Sequence, residues 1–370
     1  MNKVIFIANS SWYLFNFRKN HIIKLIKRGT IVGVFAPFDE KTTELQKLGV
    51  DYTEWNLKAK SRNIFYELFS LASVFLYCFK EKDSIFLTFT PKGNIYTGLS
   101  CYLLRANYIA NISGVGSFFN GSSFLGKIIK LLYKISLSGA KMTFFQNKDD
   151  MKDFIESNIT KAVGSNVLPG SGVDIAYFEK NNDKFSSNKE HTYLLVSRLI
   201  QSKGILDFLE LAKYFEKNNL PGKFILVGKE EANHPECITA ETILQLSKND
   251  NISIHLNQDD VKQFYKVANF CIFPTTYNEG TPKTLLESAS MGCIPIVYKN
   301  KGFAQYLNNG KNGFQVLENN TRSIIDKIIE IHSIGNDELE KISNTSVKTI
   351  KKSFNDEIIF KKYDFYTNLQ

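Results

Sequence analysis

A strand runs into a loop and then a helix along Phe273-Pro274-Thr275-Thr276-Tyr277-Asn278-Glu279-Gly280-Thr281-Pro282-Lys283-Thr284-Leu285-Leu286-Glu287. Thr281 is a residue type favoured at helix N-caps and Pro282 suits the first helical position, so the helix is predicted to begin there. Its first-turn amides then face the carboxyl end of the strand, where the helix dipole stabilises a phosphate. The stretch predicts a parallel α/β sheet with an anion site at this loop.

The same alternation of short apolar strands and amphipathic helices extends in both directions and predicts an α/β fold with two similar halves. The predicted strands are Lys3–Ala8, Ile31–Phe35, Ser84–Phe89, Tyr108–Asn111 and Met142–Phe145, then Thr192–Ser197, Lys223–Val227, Asn251–Leu256, Asn269–Phe273 and Ile294–Tyr298. Between the halves, a stretch rich in Gly, Ser, Asn and Lys indicates a linker. The predicted organisation is a first domain at 1–165, a linker at 166–190, a second domain at 191–352 and a C-terminal helix at 353–370 that crosses back to the first domain.

The composition is that of a globular chain with basic character. Its 370 residues are 43% hydrophobic and 22% charged, which excludes a disordered chain or a fibre. The net charge of +9 favours anionic partners without choosing among them. Five cysteines without a CxxC spacing indicate reduced thiols of a cytoplasmic protein. The apolar run that begins the chain is too short for a signal peptide core, and no transmembrane helix is predicted.

Two cations follow a strand in the second half. Arg198 ends the predicted strand, and Lys203 lies just before a helix. A guanidinium offers a forked contact and an ammonium a mobile point charge, so together they suit a diphosphate. Taken alone, this pair is also compatible with two solvated surface charges. The loop around Glu279, taken alone, is also compatible with a purely structural role.

Taken together, these motifs resemble a known family. The set consists of Glu279 and Glu287 in an E-x7-E spacing, Arg198 with Lys203-Gly204, Gly172-Val173-Asp174 with Phe178, and Leu226-Val227-Gly228. In this order, and over nearly the whole chain, they resemble the family 4 retaining glycosyltransferases of the GT-B fold. The resemblance implies two Rossmann-like domains facing each other across a cleft, with a nucleotide sugar held by the second domain without a metal.

The resemblance also implies a role for each matched residue. Arg198 and Lys203 bind the donor diphosphate, Glu287 binds the ribose hydroxyls, and the catalytic residue Glu279 binds hydroxyls of the donor sugar. The backbone of Gly280, Thr281, Pro282 and Lys283 completes the diphosphate site, and the base pocket lies near Leu256 and Asn257. A diphosphate leaving group develops negative charge, so fixed cations and helix amides at this place stabilise the transition state. No D-x-D triplet occurs in the sequence, and no metal or other cofactor is expected.

The acceptor side is expected in the first half. The segment from Ser113 through Gly114 and Gly116 resembles one found in transferases that add N-acetylhexosamines to polyprenyl-diphosphate-linked acceptors, as N-acetylgalactosaminyltransferases acting on lipid-linked bacillosamine do. Glycines there let a substrate approach the backbone closely. Ser10 and Ser11, followed by Arg18, stand where many family members have a glycine-rich loop. The predicted function is transfer of a sugar, an N-acetylhexosamine, from a UDP donor to such an acceptor in capsule, O-antigen or other surface-glycan synthesis.

The helix predicted at 123–137 carries Lys127, Lys130 and Lys134 among apolar residues. A basic amphipathic helix of this kind lies on an anionic membrane or packs on a core with its lysines in water. A lipid-linked acceptor favours the first alternative, so the protein is expected in the cytoplasm, peripheral at the inner face of the cell membrane. Two other functions stay open: a nucleotide-sugar 2-epimerase of the same architecture, and a nucleic-acid-binding protein. Dispersed basic charge argues against the second, and no nucleic acid partner is expected.

Overall fold

The computed structural model describes residues 3–57, 63–114, 124–180, 183–185, 190–232 and 234–367. The chain forms two compact units, Met1–Ser171 with Asp356–Gln370, and Gly172–Asn355. The change of unit between Ser171 and Gly172 lies inside the stretch predicted as a linker. The first residues of that stretch, Asn166 and Val167, instead belong to a strand of the first unit.

The first unit is built on a parallel sheet of seven strands. These are β1 (Lys3–Ile7), β2 (Ile31–Ala36), β3 (Asp51–Glu54), β4 (Ile85–Phe89), β5 (Asn107–Ile112), β6 (Met142–Phe145) and β7 (Ser165–Val167). Their order is β3-β2-β1-β4-β5-β6-β7, and every neighbouring pair is parallel. The sequence analysis missed the two edge strands, β3 and β7, because their polar residues do not form the apolar run of a buried strand.

In the described ranges, six helices connect these strands. They are α1 (Ser11–Lys27), α2 (Thr42–Gln46), α3 (Ile64–Lys80), α4 (Pro91–Leu104), α5 (Phe124–Leu137) and α6 (Lys148–Glu156). Strands β4 and β6 are buried along their whole length, as expected of strands covered by helices on both faces.

The second unit repeats the architecture with six strands. These are β8 (Thr192–Arg198), β9 (Lys223–Lys229), β10 (Ile252–Leu256), β11 (Phe270–Phe273), β12 (Ile294–Val297) and β13 (Phe314–Gln315). They are parallel in the order β10-β9-β8-β11-β12-β13. Its helices are α7 (Ile205–Lys217), α8 (Ala240–Leu246), α9 (Lys262–Val267), α10 (Lys283–Ser290), α11 (Thr321–His332) and α12 (Asn336–Ser353). The prediction of two Rossmann-like α/β halves is therefore confirmed.

The last helix, α13 (Asp356–Thr367), belongs to the first unit and packs on α1. Asn20 donates a hydrogen bond of 2.7 Å to Asp356, and Arg28 forms an ion pair of 2.7 Å with Asp364. The ring of Tyr363 is buried between these helices, where it stacks on His21 with the ring centroids 4.8 Å apart. Within the described ranges, no helix combines the length and the apolar character needed to cross a bilayer.

His21 of α1 is a buried imidazole whose two ring nitrogens have no hydrogen-bond partner among the described residues. Burial, followed by the charges of Arg18, Lys24 and Arg28, lowers the pKa of His21 to about 3. In the unfolded chain its pKa is about 6.5. The unfolded state therefore binds the extra proton between these two values, and stability falls by up to about 1.4 kcal/mol per pH unit as pH drops from 6.5 towards 3.

We expect His21→Phe to remove this pH dependence, because a phenyl ring keeps the aromatic contacts and does not titrate. The unfolding free energy is measured in urea at pH 7.5 and at pH 5. Between these pH values it should fall by about 2 kcal/mol more in the unmodified protein than in the variant. Equal losses in the two proteins would show that the folded protein accepts the proton on His21.

Candidate functional site

The two predicted cations lie at the carboxyl end of β8. Arg198 is the last residue of the strand, and Lys203 ends the single 3-10 turn Gln201–Lys203 that follows it. Strand β11 is the neighbour of β8 in the sheet, so the loop after β11 leaves the same edge beside them. That loop carries Glu279.

The structure brings the predicted residues of the two loops into contact. Lys203 and Glu279 form an ion pair, with 14% and 17% of their side chains exposed. Arg198 and Lys203 both lie against the ring of Tyr277, at 5.2 Å and 5.1 Å from its centroid. The positive charge of both residues is therefore concentrated next to the loop that leads into α10.

The charge on Lys203 depends on its anionic neighbour. Burial, and then the nearby Arg198 guanidinium, lower the pKa of Lys203 to about 7. The Glu279 carboxylate opposes this shift, because an adjacent anion favours the ammonium form. A bound phosphate would favour the ammonium form in the same way. The site is therefore electrostatically suited to an anionic ligand.

Backbone hydrogen bonds hold the two loops together. The Ser202 carbonyl accepts bonds from the backbone N–H groups of Thr276 at 2.9 Å and Tyr277 at 3.1 Å. On the other side, the Asn300 side-chain amide donates to the carbonyls of Thr275 at 3.3 Å and Tyr277 at 2.7 Å. The segment that leads into Glu279 is thus held from two sides, by Ser202 and by Asn300.

Gly302 allows a second close approach to this loop. A Cβ atom at this position would lie 2.3 Å from the Gly280 carbonyl oxygen and 2.8 Å from Cβ of Glu279. Only a glycine lets the 3-10 turn Lys301–Phe303 pack this tightly. The turn therefore forms one wall behind Glu279 and Gly280.

The predicted N-cap at Thr281 is wrong by one residue. Helix α10 begins at Lys283, and its N-cap is Pro282, with extended backbone angles (φ −62°, ψ 130°) and no side-chain cap bond. Proline is tolerated at the N-cap because the position requires no N–H bond within the helix. It also brings no amide proton, so Gly280, Thr281 and Lys283 are the residues of 280–283 that carry an N–H for an anion.

Glu287 lies inside α10 and is 6% exposed. Its carboxylate accepts a hydrogen bond of 3.2 Å from the Tyr265 hydroxyl and lies 3.5 Å from Nζ of Lys283. Burial raises the pKa of Glu287, and the charge of Lys283 opposes this. Both carboxylates of the E-x7-E spacing are therefore paired with a lysine of the same unit.

Leu256 and Asn257 lie at the end of β10, which is the edge strand next to β9. Leu256 pairs with Gly228, and the Asn257 N–H donates to the Gly228 carbonyl at 2.8 Å. Since β9 lies between β10 and β8, these two residues share the carboxyl edge with Arg198.

The geometry as a whole suits a phosphorylated ligand that carries hydroxyl groups. Arg198, Lys203 and backbone amides supply positive charge at one point of the sheet edge. Glu279 and Glu287 supply acceptors for hydroxyl groups on either side of the helix start. Such an arrangement can hold a phosphate together with a hydroxyl-bearing group attached to it.

Residues 178–348 match the family of glycosyl transferases group 1. The chain carries a group 1 glycosyltransferase domain. It is similar to the N,N'-diacetylbacillosaminyl-diphospho-undecaprenol alpha-1,3-N-acetylgalactosaminyltransferase of Campylobacter jejuni, with 24% identity over 346 residues and 88% of each chain covered. It is also similar to the UDP-Gal:alpha-D-GlcNAc-diphosphoundecaprenol alpha-1,3-galactosyltransferase of Escherichia coli, with 26% identity over 279 residues, 71% of this chain and 70% of that protein.

Among solved structures, the chain is similar to HepE of Anabaena in complex with UDP-glucose. The TM-score is 0.76 at 14% identity, and 98% of each chain is covered. A likeness at this level of identity concerns the fold, and it confirms the predicted GT-B fold of two Rossmann-like domains.

Two acidic residues of the glycosyltransferase domain were not predicted at the site. Glu231 forms an ion pair of 2.7 Å with Arg198, and Glu236 accepts a hydrogen bond of 3.2 Å from the Ser202 N–H. The hydrogen bonds from Ser202 hold the pKa of Glu236 below its ordinary value. A signal for Glu231 was present in the sequence, because it follows the end of β9 at the same sheet edge.

The residues predicted for the acceptor side lie in the first unit. Ser10 is the N-cap of α1 and accepts a bond of 3.1 Å from the Tyr13 N–H, while the Ser11 hydroxyl donates to the Pro37 carbonyl at 2.8 Å. Ser113 and Gly114 follow β5 and are half-buried. Gly116 lies outside the described residues. The hydroxyls of Ser10 and Ser11 therefore both have hydrogen-bond partners within the first unit.

Arg18 lies two turns into α1 and is 2% exposed. Its guanidinium carbon is 4.4 Å from the centroid of the Phe89 ring, and Nη2 is 3.5 Å from the Tyr13 hydroxyl. Phe89 ends β4, so the structure places Arg18 at the carboxyl edge of the first sheet but inside the packed interior.

Proposed function

We propose that this group 1 glycosyltransferase moves a sugar, an N-acetylhexosamine, from a UDP donor to a polyprenyl-diphosphate-linked saccharide in capsule or O-antigen synthesis. The observation that carries the proposal is the Lys203–Glu279 ion pair, with Arg198 beside it, at the start of α10. The names of the Campylobacter and Escherichia relatives support a lipid-linked acceptor, and UDP occurs in the name of the second relative and with HepE.

In the proposed complex, the diphosphate binds Arg198, Lys203 and the amides near Gly280. Glu279 orients the donor sugar, and Glu287 binds the ribose. The uracil base lies towards Leu256 and Asn257, and residues of the first unit bind the acceptor. These assignments follow the roles that the resemblance implies for the matched residues.

The proposed chemistry retains the configuration of the donor sugar. The acceptor oxygen forms a bond to the anomeric carbon from the face that the diphosphate leaves, while the bond from that carbon to the UDP oxygen breaks. The bonding electron pair stays on the diphosphate, and a diphosphate oxygen takes the acceptor proton. Lys203 and Arg198 stabilise the growing negative charge, so the proposed reaction uses no metal.

A thermal-shift screen of UDP, GDP and their sugars tests the donor class. UDP at a hundredfold excess over its Kd should stabilise the folded protein by about 2.7 kcal/mol, which corresponds to a rise in Tm of roughly 3–7 °C. Transfer from UDP-N-acetylgalactosamine and UDP-N-acetylglucosamine to a polyprenyl-diphosphate disaccharide should then persist in excess EDTA. Change of the donor's stereochemistry without any acceptor would instead indicate an epimerase.

We expect Glu231→Gln to strengthen UDP binding about two- to fivefold, because the Glu231 carboxylate competes with the diphosphate for Arg198. The effect is small since both side chains are about one third exposed, which weakens their ion pair. Isothermal titration with UDP measures it, with Glu241→Gln on the exposed surface of α8 as the control. Weaker binding in Glu231→Gln would show that Glu231 instead holds Arg198 in place.

A further inference from the structure

Helix α3 presents an apolar face to the outside of the first unit. Residues 68–79 contain no charged side chain. One face of the helix packs on the core through Val74, Tyr77 and Cys78. The opposite face is also apolar, and its exposed side chains are Phe65, Leu68, Phe69, Leu76 and Phe79. Of these, Phe65 is 77% exposed and Leu76 is 66% exposed.

Exposed apolar residues also occur on the two helices next in the packing order. Helix α4 packs between α3 and α5. At its end, Tyr102 and Leu103 are exposed, and along α5 the exposed apolar residues are Ile128, Leu131 and Ile135. We call the exposed apolar residues of α3, α4 and α5 the outer helix face. Soluble monomers rarely leave a continuous apolar patch larger than a few hundred Å² uncovered.

The charges on the outer helix face identify what covers it. Helix α5 has no acidic residue, and its exposed Lys127 and Lys134 alternate with Ile128, Leu131 and Ile135. These residues recur every three or four positions, so lysines and apolar side chains share one helical face. A purely apolar protein surface would leave the lysines without anions. An anionic bilayer offers phosphates to the lysines and acyl chains to the apolar residues.

We propose that the outer helix face docks on an anionic lipid bilayer. The phenylalanines and leucines of α3 enter the boundary between headgroups and acyl chains, and Lys127 and Lys134 bind lipid phosphates. The proposal rests on the proposed function in one respect, since a lipid-linked acceptor is what brings this enzyme to a bilayer.

Vesicle sedimentation tests the apolar part of the face. We expect the double variant Phe69→Glu with Leu76→Glu to lose at least tenfold in binding to vesicles of phosphatidylethanolamine and phosphatidylglycerol, because each charge must leave the apolar layer. Both positions are exposed, so the substitutions leave the core packing unchanged. Leu317→Glu is the matched control, because Leu317 is 91% exposed and lies in the second unit. This variant should bind vesicles like the unmodified protein.

A second variant tests the charges. Lys127→Gln with Lys134→Gln should bind the same anionic vesicles about tenfold more weakly, and should bind phosphatidylcholine vesicles like the unmodified protein. Undiminished binding in both double variants would overturn the proposal. A dimer that the α3 variant converts to a monomer, without any vesicle binding, would assign the face to a second copy of the chain and would also overturn it.

The thermal shift with UDP on the same proteins separates this proposal from the proposed function. It reports the nucleotide site and the integrity of the fold, and it requires no vesicle. Loss of vesicle binding with an intact UDP shift in the α3 variant supports docking through this face. If UDP fails to shift any of the proteins, the proposed function is overturned, whereas the vesicle result still decides the docking proposal.

Discussion

Lys203→Ala and Glu279→Ala are each expected to lower the rate of sugar transfer by about 10²- to 10³-fold, the usual effect of removing one preorganised charge from a transition-state site. In the proposed complex, Lys203 faces the developing charge on the leaving diphosphate, and Glu279 contacts both Lys203 and the donor sugar. Their ion pair places them next to each other in the second unit. The measurement is kcat/KM for transfer from the UDP-sugar identified in the thermal-shift screen.

The control for this pair of variants is Lys213→Ala, since Lys213 is an exposed lysine of α7 away from the loops. It should retain normal transfer. Thermal unfolding of all three variants checks that the fold persists. Near-normal turnover in Lys203→Ala or Glu279→Ala would contradict the assigned site. The double variant should lose little more than the worse single variant, because residues that act as one unit have non-additive effects.

The sequence was sufficient to predict the features that depend on local patterns. Strands such as Phe270–Phe273 and Ile294–Val297 are short apolar runs between helices, and such runs identify a parallel sheet. Parallel sheets bring the ends of their strands to one edge, so Arg198 and Glu279 could be expected near each other although 81 positions separate them in the sequence. The ion pair that joins the two loops, between Lys203 and Glu279, is a property of the structure.

Features that depend on long-range packing could not be predicted from the sequence. Asn300 and Gly302 contact the loop of Glu279 from the segment after β12, and neither belongs to a motif that indicates this. Tyr277 stood in the decisive stretch without a role, because its contact with two cations requires both loops in place. The start of α10 was misplaced because Thr281 and Pro282 both suit a helix terminus, and tertiary packing decides between them.

The same is true of the outer surface. The lysines of α5 indicated membrane contact from the sequence, whereas the sequence analysis predicted no role for α3. Its composition does not show which of its apolar residues are buried. The structure shows that Val74 and Tyr77 fill the core while Phe69 and Leu76 face outward.

Gly204→Ala is expected to disrupt the proposed donor site and to lower the stability of the second unit. Gly204 joins the 3-10 turn to α7 with φ +74°, a conformation that costs an L-residue about 1–2 kcal/mol. A Cβ atom here would also lie 2.2 Å from the Pro274 carbonyl oxygen. Because this neighbour is backbone, the clash moves either the turn or the loop, at a further cost of about 1–3 kcal/mol.

The clash acts directly on the site, because Gly204 follows the turn that contains Lys203 and Pro274 begins the loop that contains Glu279. Ser202, two positions before Gly204, binds the backbone of Thr276 and Tyr277, and Lys203 pairs with Glu279. Displacement at Pro274 therefore separates the ion pair. We expect Gly204→Ala to lose about 2–5 kcal/mol of unfolding free energy in urea and to weaken UDP binding at least tenfold.

Gly310→Ala is the matched control for this variant, because it separates backbone strain from the clash. Gly310 has φ +76°, almost the same as Gly204, and a Cβ atom there would meet nothing within 4 Å. It should lose about 1–2 kcal/mol from strain alone and bind UDP normally. If the two variants lost the same free energy and both bound UDP normally, the contact between Gly204 and Pro274 would have no part in holding the two loops together.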